Sequence, residues 1–284
     1  MEYYIMTDNG QNSRQQPLEG MRTDTRQKRL VIRVGQSSLS FSKATADGVT
    51  FVAYQLNSSI SIAANLRQAL QEEAILHESF NQTLVLVDTP VLMVPDGLFV
   101  ESEQEDLYYH TFSRQDQQKV MNYVMSDLKC VVLFSVLKDL YTVCNDALSG
   151  VHFMPAIAPV WRHLHLRSYA GQRQKLFGYF HERRLEVFAF GQNRFKFFNS
   201  FAVNNPNDAL YYILSVWKQL AMTPEHDELH LVGDIPEREV LMEEAQKFVK
   251  RVFYINPSGE FNRAAVTQLQ DVPYDLMVLY VKGK

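Results

Sequence analysis

Residues 195–220 read FKFFNSFAVNNPNDALYYILSVWKQL, and residues 228–252 read ELHLVGDIPEREVLMEEAQKFVKRV. The first segment opens with a strand pattern and continues as a helix after Pro206, because proline is well placed at a helix start. That helix carries apolar side chains at helical spacing, namely Leu210, Ile213, Leu214 and Trp217. The second segment predicts a buried strand, then a helix over 236–249. This part of the chain is therefore of the α/β class.

A series of strands precedes the helix that follows Pro206, and a similar series occupies the first half of the chain. In the second half the strands are KLFGYFH, RLEVFAF and FKFFNSFAV, separated by short turns. In the first half LVIRV, SLSFSKA and VTFVAYQL predict an antiparallel meander, with the hairpin signal Asp47-Gly48 before the third strand. ISIAANLRQALQEEAIL then predicts a helix, and TLVLVD predicts a buried strand.

The two series overlay with a constant offset of 146 residues and no gap, which is the sequence sign of an internal duplication. The overlay gives six identities in 61 positions, which is near chance, so the order of the elements carries the argument. Two unrelated α/β stretches with similar loop lengths remain the alternative. The identical pairs are Leu30/Leu176, Leu39/Leu185, Phe51/Phe197, Ala63/Ala209, Asp88/Asp234 and Pro90/Pro236.

The remaining segments are less regular. CVVLFSV predicts a buried strand, while LKDLYTVCNDAL and AIAPVWRHLHL predict helices. Leu107, Phe112 and Val120 lie among charged residues, which favours helices there, and the period of the closing PYDLMVLYV fits a helix or a strand. We expect a flexible polar tail over residues 1–28 and two domains, over 29–170 and 171–284.

The composition excludes several classes of protein. A hydrophobic fraction of 46% and a charged fraction of 21% exclude a wholly disordered chain. A net charge of −4 argues against nucleic acid as a partner. Neither a secretory signal nor an 18-residue apolar run is apparent, so we expect a cytoplasmic protein without a membrane span. Cys130 and Cys144 are expected to be buried, reduced thiols.

The βββαβ unit used twice resembles the actin-like ATPase superfamily, and residues 195–252 resemble a bacterial family of unknown function assigned to it. The resemblance implies the fold: a duplicated actin-like (ribonuclease H-like) α/β fold with two βββαβα domains and mixed sheets. It also implies three glycine-rich elements that bind a magnesium–nucleotide complex between the domains. It implies no established activity for the bacterial family.

The three elements can be compared residue by residue. At the first, where the superfamily has an Asp-x-Gly turn, this chain has Arg33 in place of the aspartate, followed by Gly35, Ser37 and Ser38. The second corresponds to residues 179–183, which lack both Asp and Gly and offer Glu182 as a partial substitute. At the third, a Gly-Gly pair is reduced to Gly233 followed by Asp234.

Two carboxylates are thus missing where a magnesium–phosphate complex would be neutralised. We therefore expect no catalytic residue, no metal, no cofactor and no nucleotide, and a non-enzymatic scaffold or adaptor that binds a protein partner. The seven residues Arg33, Gly35, Ser37, Ser38, Glu182, Gly233 and Asp234 would form a vestigial nucleotide cleft, with Arg33 paired to Glu182. The alternatives are a nucleotide or small-molecule binder that uses this cleft, and an active ATPase or kinase.

Other residues invite weaker hypotheses. His163 and His165 are expected to be surface histidines, and His226 and His230 to flank a strand beside an acidic, solvated turn. Asp88 and Asp234 end equivalent strands and are expected to cap helices. Alternation in residues 195–201 would put Phe195 and Phe197 on one face and Phe198 on the other, so that a domain or a protein partner covers both faces.

Overall fold

The computed structural model describes residues 28–191 and 194–282. The expected tail over 1–28 therefore lies outside the described residues, apart from Lys28. The described part holds two five-stranded sheets and one three-stranded sheet. In the first half its elements are β1 (Arg29–Val34), β2 (Leu39–Thr45), β3 (Gly48–Tyr54), α1 (Ile62–Glu72), β4 (Gln82–Val87), β5 (Val91–Pro95), α2 (Gln104–Thr111), β6 (Gln118–Met125), β7 (Cys130–Leu137), α3 (Lys138–Ala147), β8 (Val151–Pro155) and α4 (Ile157–Ser168).

The second half repeats the principal elements of the first. Its elements are β9 (Lys175–His181), β10 (Arg184–Gly191), β11 (Arg194–Ala202), α5 (Pro206–Gln219), β12 (Glu228–Gly233), α6 (Arg238–Gln246), β13 (Val252–Tyr254), α7 (Pro257–Glu260) and α8 (Tyr274–Lys282). The offset of 146 residues carries the bounds of β4 onto those of β12. The closing apolar segment, which the sequence left open, is the helix α8.

Both large sheets have the same mixed topology. Their strand orders are β3-β2-β1-β4-β8 and β11-β10-β9-β12-β13. In each sheet the first three strands form an antiparallel meander, and the remaining pairs are parallel. The expected fold class, a mixed α/β fold with this arrangement used twice, is confirmed.

The equivalent helices α1 and α5 start with the same local device. Ser61 accepts a hydrogen bond from the N–H of Ala64, and Asn205 accepts one from the N–H of Asp208. Such a side chain satisfies an amide that has no partner within the helix. Pro206 follows Asn205 at the first helical position, as the sequence predicted.

An insertion distinguishes the first half from the second. Residues 91–137 form the antiparallel sheet β5-β7-β6 with α2 packed on it. Val120 lies in β6, so the prediction of a helix there is wrong. Strand β6 carries Lys119 and is half-buried along much of its length, and charge alone does not distinguish such a strand from a helix. Strand β8 has only five residues, and the sequence did not predict it.

The aromatic side chains of the edge strand β11 are half-buried against the protein itself. Ring centroids of Phe195 and Phe198 lie 4.7 and 4.8 Å from that of Trp161, on α4. Phe197 packs with the core of the second half. The expected alternation is wrong here, because a register shift between Ala189 and Phe190 adds one residue to β11 and brings Phe195 and Phe198 to the same face.

The core joins the two halves. Trp161 is fully buried and also meets Phe188 of the second sheet at 6.5 Å between ring centroids. Helix α8 returns to the first half, where it packs against α4, and its Tyr280 donates a hydrogen bond to Ser42 in β2. Within the described residues, no helix is long and apolar enough to cross a membrane.

Candidate functional site

Two hairpin turns face each other between the halves. The first joins β1 to β2 and includes Gly35, whose N–H donates to the carbonyl of Ser38 at 2.8 Å. The second joins β9 to β10 through Glu182 and Arg183, with φ values of +43° and +62°. Positive φ at both central residues matches the twist of a two-residue hairpin. This tight turn carries the Glu182 side chain towards the first turn.

The Glu182 carboxylate fills a cradle of donors in the first turn. Its Oε2 accepts hydrogen bonds from the N–H groups of Gln36 at 2.6 Å and Ser37 at 3.3 Å. Its Oε1 accepts from Ser38 Oγ at 2.6 Å and from Arg33 Nη1 at 2.9 Å. Burial favours the neutral carboxyl, but the hydrogen bonds from Ser38 and Arg33 outweigh it and lower the pKa of Glu182.

Gly35 lets the carboxylate approach the backbone. A Cβ at this position would overlap Glu182 Oε1 and Ser38 Oγ. The turn thus combines an open backbone, two N–H donors, a hydroxyl and a guanidinium, which is the donor set of an anion site. Glu182 supplies the anion from within the same chain.

Arg33 is held on its other side by Asp275, at the start of α8. Its Nε lies 3.0 Å from both carboxylate oxygens of Asp275, and Tyr179 donates to Asp275 at 3.2 Å. Arg33 is 2% exposed and Asp275 1%. Burial opposes the charge of Arg33, but Asp275 and the further contacts raise its pKa well above the ordinary value. Sequence reasoning missed Asp275, which lies 242 residues away, and no local signal marks it.

A second buried network joins the halves beside the first. Asp88, after β4, lies 3.1 Å from His181 Nδ1 and 3.0 Å from Arg184 Nη2. Glu186 lies 2.8 Å from Arg184 and 3.4 Å from His181 Nε2. Burial lowers the pKa of His181, but its bonds to Asp88 and Glu186 outweigh this and raise the pKa to about 9. The prediction that Asp88 caps a helix is wrong, because its carboxylate pairs across the two halves.

The third element borders the same space. Gly233 has φ +98°, and a Cβ there would overlap the backbone of Phe180. The N–H of Asp234 donates to the carbonyl of Phe180 at 2.9 Å. Asp234 is not a helix cap, because the next helix begins at Arg238 after Glu237. A cavity of about 490 Å³ lies between the halves, and the predicted site residues that line it are Arg33, Ser38, Glu182, Gly233 and Asp234.

The histidines differ from the expectation. His163 and His165 are 6% and 5% exposed, so the prediction of surface histidines is wrong. They lie in different surroundings on α4, since His163 is 3.2 Å from Glu260 and His165 is 3.0 Å from the Tyr169 hydroxyl. His230 lies inside β12 rather than beside it, and pairs with Glu228.

The acidic turn is also less solvated than expected. Asp227 is buried, and its carboxylate accepts hydrogen bonds from the N–H groups of Thr223 and Gln174.

The topology and the facing hairpins define a protein with an actin-like ATPase fold. A Bacteroides thetaiotaomicron protein with this fold and unknown function is 28% identical, with a TM-score of 0.77, over 86% of this chain and 96% of its own. The family described as "Protein of unknown function (DUF3822)" matches residues 20–252, and the chain belongs to this family.

A more distant structure shares the fold. In the PilM–PilN type IV pilus biogenesis complex, the matching chain is 10% identical with a TM-score of 0.53, over 89% of this chain and 96% of that one. No curated protein matches significantly.

Proposed function

We propose that this protein is a non-hydrolysing member of the actin-like fold class, a cytoplasmic scaffold or adaptor whose nucleotide cleft is closed from within. One observation carries the proposal: the Glu182 carboxylate takes the donors of the first turn, from Gln36, Ser37, Ser38 and Arg33. In an ATPase of this fold, such donors would be needed for phosphate.

The residues present do not fit a magnesium–nucleotide complex. The resemblance implies a carboxylate at position 33 that holds magnesium through water, but Arg33 is a buried cation bound to Asp275. The Glu182 carboxylate already lies within hydrogen-bond distance of the donors that a phosphate at the first turn would use. A bound phosphate would therefore lie next to this carboxylate. Like charges at that separation repel strongly in a partly buried site.

The contacts between the halves support a fixed framework rather than a moving enzyme. Many enzymes that bind ligand between domains close around it by hinge motion. Here the halves share a core around Trp161 and two buried networks of charges, centred on Arg33 and His181. Opening the cleft would break these charge-assisted hydrogen bonds and expose the apolar side chains of the shared core to water. A rigid body of this kind suits a binding scaffold.

The proposal is tested with the purified full chain and ATP, with and without Mg²⁺. We expect no change in melting temperature and no phosphate release above background. We also expect Arg33→Asp to be inactive, because the new carboxylate would face those of Glu182 and Asp275, and Glu182 would still accept the N–H groups of the first turn. ATP turnover by the wild-type protein that is lost in Ser38→Ala, with an unchanged melting temperature, would refute the proposal.

A second candidate function is small-molecule binding in the rest of the cleft. The cavity of about 490 Å³ is within the usual range for ligand sites. Tyr254 and Tyr274 line it together with Asp234 and Asp271, which favours a neutral or cationic aromatic ligand over a phosphorylated one. Adenosine compared with ATP in the same melting assay distinguishes the candidates, since stabilisation by adenosine alone supports ligand binding.

A further inference from the structure

A second cavity, of about 540 Å³, lies in the first half, apart from the cleft. It is enclosed by the first sheet, α4, α8 and the inserted sheet. Its volume is in the range of small-molecule sites. Most of its wall is apolar, and the principal apolar side chains are Leu84, Phe153, Met154, Leu166, Val278 and Leu279.

Strand register explains why one side of this cavity is charged. Val31, Leu84 and His152 are paired across β1, β4 and β8 and share one face of the sheet. Arg29, two residues before Val31, lies on that face as well, because side chains alternate along a strand. Arg29, Leu84 and His152 all line the cavity.

Within residues 28–191 and 194–282, the other charged side chains at the cavity have a partner of opposite charge, and Arg29 has none. Arg162 lies 3.0 Å from Asp127 and donates to the Tyr123 hydroxyl at 3.0 Å. His163 pairs with Glu260. Among residues 28–191 and 194–282, no carboxylate is within ion-pair distance of Arg29. An anion in the cavity would supply the missing partner.

Apolar side chains are exposed at the rim. Leu166 on α4 is 64% exposed, Tyr169 just after α4 is 51% exposed, and both border the cavity. Exposed apolar groups beside a cavity are typical of binding sites. The cavity therefore combines an apolar wall with the Arg29 guanidinium, which forms no ion pair with the described part of the chain.

We propose that this cavity binds a small amphipathic anion, an aliphatic chain ending in a carboxylate that pairs with Arg29. The chain would contact Leu84, Val278 and Leu279, while the carboxylate replaces water at the guanidinium. The site is independent of the interdomain cleft, although α8 contributes Asp275 to the cleft and Val278 and Leu279 to this cavity.

The test uses octanoate and 1-octanol as probes in isothermal titration calorimetry with the full chain. We expect saturable binding of octanoate at one site. Arg29→Gln should weaken octanoate at least about tenfold, or about 1.4 kcal/mol, and leave 1-octanol unchanged. Arg114→Gln is the matched control, because Arg114 is 59% exposed and does not line the cavity.

Two further variants test the apolar part of the cavity, which would hold the aliphatic chain of the ligand. Leu84→Trp should fill the cavity and weaken both probes. Leu166→Asp, at an exposed position where folding is not at risk, should weaken octanoate more than 1-octanol. Absence of saturable octanoate binding, an equal effect of Arg29→Gln and Arg114→Gln, or unchanged binding by Leu166→Asp would overturn the proposal.

Discussion

The N–H of Gln36 donates a 2.6 Å hydrogen bond to Glu182 Oε2, and the two residues are 146 residues apart. That separation is the offset which relates the two halves, so equivalent positions of the repeat touch each other. The hydrogen bond from Asp88 to Val34 also recurs as the bond from Asp234 to Phe180. The two hairpins therefore meet at equivalent positions of the repeat.

The two hairpins are asymmetric where they meet, because Glu182 and Arg183 have positive φ and the equivalent Gln36 and Ser37 do not. The first turn contributes donors, while the second contributes the acceptor Glu182. The two turns are thus complementary, because the second half supplies the carboxylate that the donors of the first half bind.

Replacing Glu182 with alanine should leave this donor set without an acceptor. Loss of charge-assisted hydrogen bonds in a partly buried site predicts destabilisation by about 2 to 3 kcal/mol. Inorganic phosphate should restore part of the stability of Glu182→Ala and leave the wild type unchanged, since the anion replaces the carboxylate. Urea unfolding with and without phosphate measures this, and Glu225→Gln, at an exposed position, is the control. Equal phosphate effects on both variants would contradict the prediction.

Much of the fold could be predicted from the sequence. The ungapped offset located the repeated strands, because hydrophobic period and short turns are local signals. The incorrect predictions also have physical causes. Val120 lies on a strand with charged neighbours, and the bulge that places Phe195 and Phe198 together leaves no mark in the alternation. Burial of His163 and His165 depends on segments far along the chain.

Fewer contacts of the candidate site could be predicted from the sequence. The contact of Arg33 with Glu182 was predicted, because the resemblance to the actin-like superfamily implies that the two turns face each other. It could not predict Asp275 or the pairing of Asp88 with His181. These partners come together only when helix α8 and the second hairpin have packed against the first sheet.

Replacing Arg33 with methionine should lower the free energy of unfolding, because Asp275 depends on Arg33 for its counter-charge. Asp275 is 1% exposed and would lose its counter-charge, which predicts a loss of about 3 to 5 kcal/mol. The double variant Arg33→Met/Asp275→Leu should lose less than the sum of the single variants, with a coupling of about 2 kcal/mol or more. A denaturant-based double-mutant cycle measures it. Additive effects within about 0.5 kcal/mol would contradict a direct pair.

His181 should make stability depend on pH. Its pKa is raised from 6.5 to about 9 in the folded protein, so folding favours the protonated form. The contribution is fully present below pH 6.5 and is lost as pH rises through 9. The loss should approach about 3 kcal/mol.

Urea unfolding at several pH values, for the wild type and His181→Gln, tests this window. The variant should be less stable than the wild type at low pH, and the difference should shrink as pH rises. His226→Gln, at an exposed position outside the network, should follow the wild type. A difference that grows with pH would show that His181 is neutral in the folded state.

The turn between β9 and β10 holds two residues in a left-handed backbone conformation. Arg183 is exposed and holds φ at +62°, a left-handed conformation that costs a residue with a Cβ about 1 kcal/mol or more. Glycine adopts it freely, although it loses more entropy on folding. Arg183→Gly should therefore stabilise the protein by about 0.5 to 1 kcal/mol. Arg183→Ala retains the Cβ and should give no gain, which makes it the matched control.

Glu182→Gly has the same backbone benefit, since Glu182 holds φ at +43°, but should be destabilising because the carboxylate is lost. Denaturant unfolding ranks the three variants, and equal stability of Arg183→Gly and Arg183→Ala would refute the backbone argument.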